Sequence, residues 1–216
     1  MSRQRVSRIM RKNGIKSKIV KNYKVTTNSK HNESINPNLL SGNFQVSEPN
    51  KVWVSDITYI WTVEGWLYLT VIMDLFNREI LGSSRSKSLS TESTVIKAFE
   101  EACKRRTPSL GLIFHSDRGI QYCSKDFRKR LLRYEINQSM SGKGNCYDNA
   151  VSESFFHTLK GELIRGRKFL SRAEASEAIF EYIEIFYNRV RLHSTLDYMS
   201  PTEYLNNYKK GLLKVA

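Results

Sequence analysis

The chain has 216 residues, 40% hydrophobic and 11% aromatic, which excludes a wholly disordered polymer and leaves room for one principal domain with an appendage. Its longest apolar stretch, Trp66 to Met73, is far too short to span a bilayer, no secretory segment follows Met1, and three cysteines without a C-x-x-C pair give neither a disulfide framework nor a cysteine zinc site. With 35 Lys+Arg against 21 Asp+Glu the net charge is +14, the footprint of a polyanion binder, and residues 1–51 alone carry +9, so the expectation is a basic arm on a milder body in the reducing cytoplasm.

In the arm, Val6, Ile9 and Met10 keep helical spacing among Arg3, Arg5, Arg8, Arg11 and Lys12, and Gly14 supplies a stop, which predicts a short basic helix through Asn13. Lys21 to Pro49 is polar, rich in Asn and Ser and without periodicity, and reads as an extended linker. Three strands follow, Val52 to Trp61, Trp66 to Met73 and Arg78 to Ser84; their short connections predict an antiparallel meander. After Thr91 the pattern is helical up to Pro108, then a buried-type strand runs from Leu110 to His115. Ser124 can cap a helix through Arg133, Ile136 to Met140 makes a fifth strand, and the loop Ser141 to Asp148 leads into a helix over 149–164. Two capping boxes, Ser171-Arg-Ala-Glu174 and Ser200-Pro-Thr-Glu203, open the last two helices. Three antiparallel strands followed by helix-strand crossovers describe a mixed five-stranded α/β sheet flanked by helices, the element order of ribonuclease-H-like folds, with 1–48 as arm and linker and 49–216 as core with a C-terminal helical extension.

Three acids stand out. Asp56 lies mid-strand in Val-Trp-Val-Ser-Asp-Ile-Thr-Tyr-Ile, where a buried carboxylate needs a metal, a cation or a hydrogen-bond network to offset several kcal/mol of desolvation. Asp117 follows the buried strand at its carboxyl end, where ligands gather in parallel sheets, although Asp in such a turn is more often a backbone cap. Glu153 shares a helical stripe with His157, Lys160 and Ile164, opposed to an apolar face of Val151, Phe155, Leu159 and Leu163; a solvated polar face is the simpler account of such a stripe.

Asp117 and Glu153 are separated by 35 residues, and Lys160 lies seven beyond Glu153. With Asp56 they resemble the D-D-35-E signature of transposases that carry a retroviral-integrase-like core. The words around them, Trp53-Val-Ser-Asp56-Ile-Thr-Tyr59, His115-Ser-Asp117-Arg-Gly119, the run from Ser141 to Ala150, and Tyr187-Asn-Arg-Val-Arg-Leu-His193 with Ser200-Pro201, resemble the second-reading-frame (OrfB) transposases of bacterial insertion sequences. The resemblance implies a polynucleotidyl transferase of the DDE kind that cleaves DNA and transfers strands, with Asp56, Asp117 and Glu153 as catalytic metal ligands. It implies Mg2+ as cofactor, with Mn2+ as substitute and two ions per site. Lys160 would contact DNA phosphate, with His157 a further DNA contact or plain helix surface, and Arg3, Arg5, Arg8, Arg11 and Lys12 would bind DNA from a remnant of a DNA-binding region. The implied partners are insertion-sequence ends, target DNA, further copies of this chain assembled on DNA, and the helix-turn-helix protein of an upstream frame, in a nucleoid-associated setting without a membrane. Three other readings compete, the third being a simple ribonuclease H, for which the basic arm and the capped C-terminal helices are more than the activity requires. His115-Ser-Asp-Arg118 fits H-x-x-R with Tyr147 downstream, as in tyrosine recombinases, but leaves Asp56 and Glu153 unexplained. A catalytically silent, truncated transposase acting as a DNA-binding protein is the alternative within the family.

Overall fold

The computed structural model describes residues 2–15, 34–142 and 150–211. Strands β1 (Val52–Thr62), β2 (Gly65–Asp74), β3 (Ile80–Ser86), β4 (Ile113–Ser116) and β5 (Asn137–Met140) form one sheet in the order β3-β2-β1-β4-β5. β1, β2 and β3 pair antiparallel, whereas β4 and β5 are parallel to β1. Helix α1 spans Arg3–Lys12, α2 Lys97–Arg105 after a π-helical turn at Glu92–Ile96, α3 Ile120–Cys123 and α4 Lys125–Arg133. Then come α5 (Ala150–Leu159), extended by a π-helical turn over Lys160–Ile164, α6 (Arg172–Glu181), extended likewise through Tyr182–Tyr187, and α7 (Pro201–Lys209).

Alternation along β1 and β2 sends side chains to two cores. Val52, Val54, Ile60, Leu67, Leu69 and Val71 meet Phe155, Leu159, Ile179 and Ile183 of the α5 and α6 layer. On the other face Trp53, Ile72 and Leu81 meet Val95, Phe99, Phe127 and Leu131 of the α2 and α4 layer. α2 lies so close to β3 that a Cβ at Gly82 would collide with the backbone of Ala98 and Ala102. Asp74 and Glu79 both pair with Arg106, tying the β2–β3 turn to the end of α2.

The capping signals act as expected. Ser124 Oγ accepts from Phe127 N, Ser171 Oγ from Glu174 N, and Ser200 with Glu203 forms a complete capping box with Pro201 at the first helical position. The Glu174 carboxylate reaches one residue further back and accepts from Leu170 N, so the box at Ser171 is only half closed. β3 starts two residues later than predicted because Arg78 sits in a turn at φ +60, donating its N–H to Asp74 O. β4 starts at Ile113 because Gly111, at φ +75, turns the chain ahead of it.

The linker is the largest departure. Its residues 34–50 are irregular, as expected, yet they lie against the body: Asn36 donates to Gln138, Leu39 N to Ser139 Oγ and Met140 N to Pro37 O. Leu40 is buried in the α5/α6 core, with Phe44 and Val46 packed beside it. This strap covers the outer edge of β5, which would otherwise present unpaired backbone groups. Among the described residues no helix is long and apolar enough to cross a membrane.

Candidate active site

β4 pairs with β1 only from Val52 to Ser55, and its last pair is Ser55 with Ser116. Asp56 and Asp117 are the next residue on each strand, so two carboxylates emerge side by side on strands ~4.8 Å apart, at the carboxyl end of β4. Burial and the neighbouring negative charge of Asp117 hold the Asp56 carboxyl well above the usual carboxylate range. The Ile57 N–H, donating to Asp56 Oδ1 at 2.7 Å, opposes that rise; Glu153 adds to it more weakly, and Lys160 subtracts least. Asp117 Oδ1 accepts from Gly119 N at 2.9 Å, so this Asp does perform the backbone-capping task expected of its turn.

α5 packs against β1 through Phe155 and Leu159, and Glu153 and Lys160, on the flank of that face, come close enough for their charges to act on Asp56. Burial raises Glu153, and burial lowers the Lys160 ammonium while the charge of Asp56 opposes that drop. Asp56 and Asp117 are therefore brought together. Glu153 comes within electrostatic reach of Asp56, but among the described residues no three His, Cys, Asp or Glu side chains stand close enough to share one ion. The donor set still fits a hard cation: all oxygen, all carboxylate, with mutual repulsion and no ion pair to Asp56 among the described residues.

The remaining sequence candidates are dispersed. His157 is exposed on α5, and Arg3, Arg5, Arg8, Arg11 and Lys12 are exposed along α1, which carries no buried residue. Gly144, Tyr147 and Asp148 of the loop before α5 lie outside the described residues. His115 is fully buried with Nδ1 2.8 Å from Ser139 Oγ, and Arg118 Nε donates to Ser141 O, so the H-x-x-R pattern serves the strand ends rather than an open site.

Sequence reasoning missed two supports. Tyr122, on the four-residue α3, shares a 2.9 Å hydrogen bond with Ser55 directly behind Asp56; burial and then the charges of Asp117 and Asp56 push its phenol well above the usual range. Glu162, in the π-helical turn that begins at Lys160, accepts from Arg191 at 2.9–3.1 Å and from Tyr182 Oη at 2.6 Å. That makes Glu162 part of a partly buried network and not a plain surface acid. Tyr187 meets Phe155 of α5 edge to face at 4.8 Å, and Asn188 exchanges two hydrogen bonds with the Ile80 backbone at the start of β3, so the start of the Tyr187–His193 motif ties α5 and β3 together. Helix length or caps could not reveal these contacts; only the unusual density of polar residues in that motif hinted at them.

A mixed five-stranded sheet in the order β3-β2-β1-β4-β5, flanked by helices, is a fold of the ribonuclease-H-like class. Integrase core domain profiles match residues 46–146 and 153–208. The chain is 44% identical over 208 residues to the insertion element IS600 uncharacterized 31 kDa protein of Shigella sonnei, covering 96% of this chain and 76% of that protein. It is 42% identical over 201 residues to transposase InsF for insertion sequence IS3A of Escherichia coli strain K12, covering 93% and 69%. Among solved structures, the HTLV-2 integrase catalytic core domain in complex with magnesium superposes with a TM-score of 0.53 at 18% identity, covering 72% of this chain and 96% of that one. The BIV integrase catalytic core superposes with a TM-score of 0.54 at 18% identity, covering 76% and 99%. The chain belongs to the insertion-sequence transposases built on an integrase core domain, and its function is DNA transposition.

Proposed function

We propose that Asp56, Asp117 and Glu153 hold divalent cations, Mg2+ with Mn2+ as substitute and two per site, and that strand cleavage and strand transfer take place there. The observation that carries this reading is the placement of Asp56: a carboxylate mid-strand beside that of Asp117, where a merely stable sheet would carry an apolar residue, with the Ile57 N–H and the Lys160 charge offsetting its burial and repulsion only in part. The cations, when bound, would polarise the scissile phosphate and lower the cost of an attacking water or 3′-OH and of the departing 3′ oxygen. The chain's own groups supply position. The Ile57 N–H orients Asp56, the Gly119 N–H orients Asp117, and α5 carries Glu153 on a helix braced by Tyr187. Lys160, a flexible point charge, binds a phosphate next to the carboxylates, with His157 as a further contact at the exposed edge of α5. The magnesium in the HTLV-2 core structure supports the metal assignment.

The basic residues of α1 add sequence-independent affinity for DNA, and the acting species is an assembly of several copies on insertion-sequence ends and target DNA, joined by the helix-turn-helix protein of an upstream frame. Strand transfer of pre-cleaved element ends in Mg2+ tests the assignment. Asp56→Asn, Asp117→Asn and Glu153→Gln should each abolish the product while DNA binding persists, and appreciable activity in any one removes that residue from the site.

A further inference from the structure

The free end of the β1–β2 ribbon carries a feature that phosphoryl transfer does not use. Tyr59 pairs across the ribbon with Tyr68, and Trp61 with Trp66, so all four rings lie on one face. They touch edge to face: Trp61 to Trp66 at 4.8 Å, Tyr59 to Trp66 at 6.0 Å and Tyr59 to Tyr68 at 5.8 Å. The opposite face, through Ile60, Leu67 and Leu69, is buried against α6. The aromatic face continues that of Trp53 and Ile72, but the helical layer that covers those two does not cover the tip, and Trp61 and Trp66 stay 59% and 47% exposed. Two Trp rings held exposed side by side on one rigid ribbon leave apolar surface uncovered, which points to a ligand.

We propose that Tyr59, Trp61, Trp66 and Tyr68 form a stacking platform for unpaired bases of a DNA single strand. Charge and continuity favour nucleic acid over protein as the occupant. Arg172 lies at the hairpin turn with Nε donating to Trp66 O at 3.0 Å, and Lys87 follows Ser86, the partner of Tyr68; the one acid in the turn, Glu64, accepts from Arg172 N. Tyr59 is three residues beyond Asp56 on the same strand, ~10 Å away. β4 leaves β1 after Ser55, so no strand lies along that edge of β1 between Asp56 and Trp61 among the described residues. This stretch of edge lies between the carboxylates and the aromatic face, and the segment at Phe169 bridges β1 only beyond it, at Thr62. Base-on-ring stacking is indifferent to sequence, which suits a surface that would receive flanking or displaced nucleotides of varied sequence.

The link to the carboxylates rests on the reading of that site given above, whereas base stacking itself is tested without metal. Binding of the full chain to an oligothymidylate single strand and to a matched duplex is measured by fluorescence anisotropy across a salt series, in EDTA. Trp61→Ala and Trp66→Ala should each weaken single-strand binding about 10-fold. Duplex affinity and the salt slope should stay unchanged because neither ring neutralises a phosphate. Trp66→Phe should retain most of the affinity. Equal weakening on single strand and duplex, or no weakening on either, overturns the proposal. So does a shift toward smaller species in sedimentation of the Ala variants with single-strand binding intact, which would assign the face to pairing between copies of this chain.

Discussion

Replacing Asp56 by Asn should make the metal-free protein more stable. In the wild type, burial and Asp117 raise the Asp56 carboxyl well above its ordinary 3.8. Between 3.8 and that raised value the folded chain keeps a proton that the unfolded chain has released, so stability falls as pH rises, by up to ~1.4 kcal/mol per pH unit from this group alone. Asn cannot ionise, keeps an oxygen able to accept from the Ile57 N–H, and removes the repulsion with Asp117. At neutral pH we expect a gain of roughly 1 kcal/mol, or ~2–4 °C in Tm for a chain of this size. The gain should shrink as pH falls toward 4, where the wild-type carboxyl is protonated. Mn2+ should reverse the order: at a hundred times its Kd it stabilises a binding protein by ~2.7 kcal/mol and should do little for the Asn variant. Thermal denaturation at several pH values, in EDTA and in Mn2+, reads all of this. An Asn variant less stable than wild type in EDTA at neutral pH, or a difference that does not change with pH, would refute the reasoning.

The Glu162 network predicts a different outcome for a neighbouring acid on the same helical run. Glu162→Gln leaves Arg191 without its counter-charge and should cost about 2 kcal/mol, ~4–8 °C in Tm, while strand transfer per folded molecule is retained at low temperature; an unchanged Tm would mean that the pair is only a surface contact. Lys160→Ala should reduce photocrosslinking to element ends and cut strand transfer, with Lys160→Arg partly tolerated, and full crosslinking by the Ala variant would return Lys160 to a solvated helix face. Deleting residues 1–33 removes ten Lys/Arg and leaves the strap in place, so the slope of log K against log salt for duplex binding should flatten by several units, at ~0.9 for each phosphate no longer neutralised. Superimposable slopes would make the arm a bystander.

Much of this architecture was legible because it rests on local signals. Alternation with β-branched and aromatic residues marks β1 and β2, and Ser124, Ser171 and Ser200 mark helix starts through their own side-chain hydrogen bonds. Asp56 and Asp117 stood out because each is a residue type at odds with its setting, and Glu153 through its spacing to Asp117. The strap over 34–46 was not legible as packed structure, because single contacts such as Asn36 to Gln138 and one buried side chain, Leu40, replace any periodic pattern. Nor was the task of Glu162, since its partner Arg191 lies 29 residues away in an irregular segment. The degree to which the three carboxylates converge is likewise a tertiary property: Asp56 and Asp117 are fixed by neighbouring strands, whereas the side chain of Glu153 depends on where α5 is set against β1.

Glu153 is accordingly the residue on which the three-carboxylate site depends. The most direct measurement is a Mn2+ titration followed by the electron paramagnetic resonance signal of the free ion, on wild type and on Glu153→Gln in the presence of a bound element end. If the three carboxylates share the cations, the Gln variant binds fewer ions per chain, or binds them at least 10-fold more weakly, at unchanged DNA occupancy. Identical stoichiometry and affinity in the two proteins would contradict the three-carboxylate site and leave Asp56 and Asp117 as its only metal ligands.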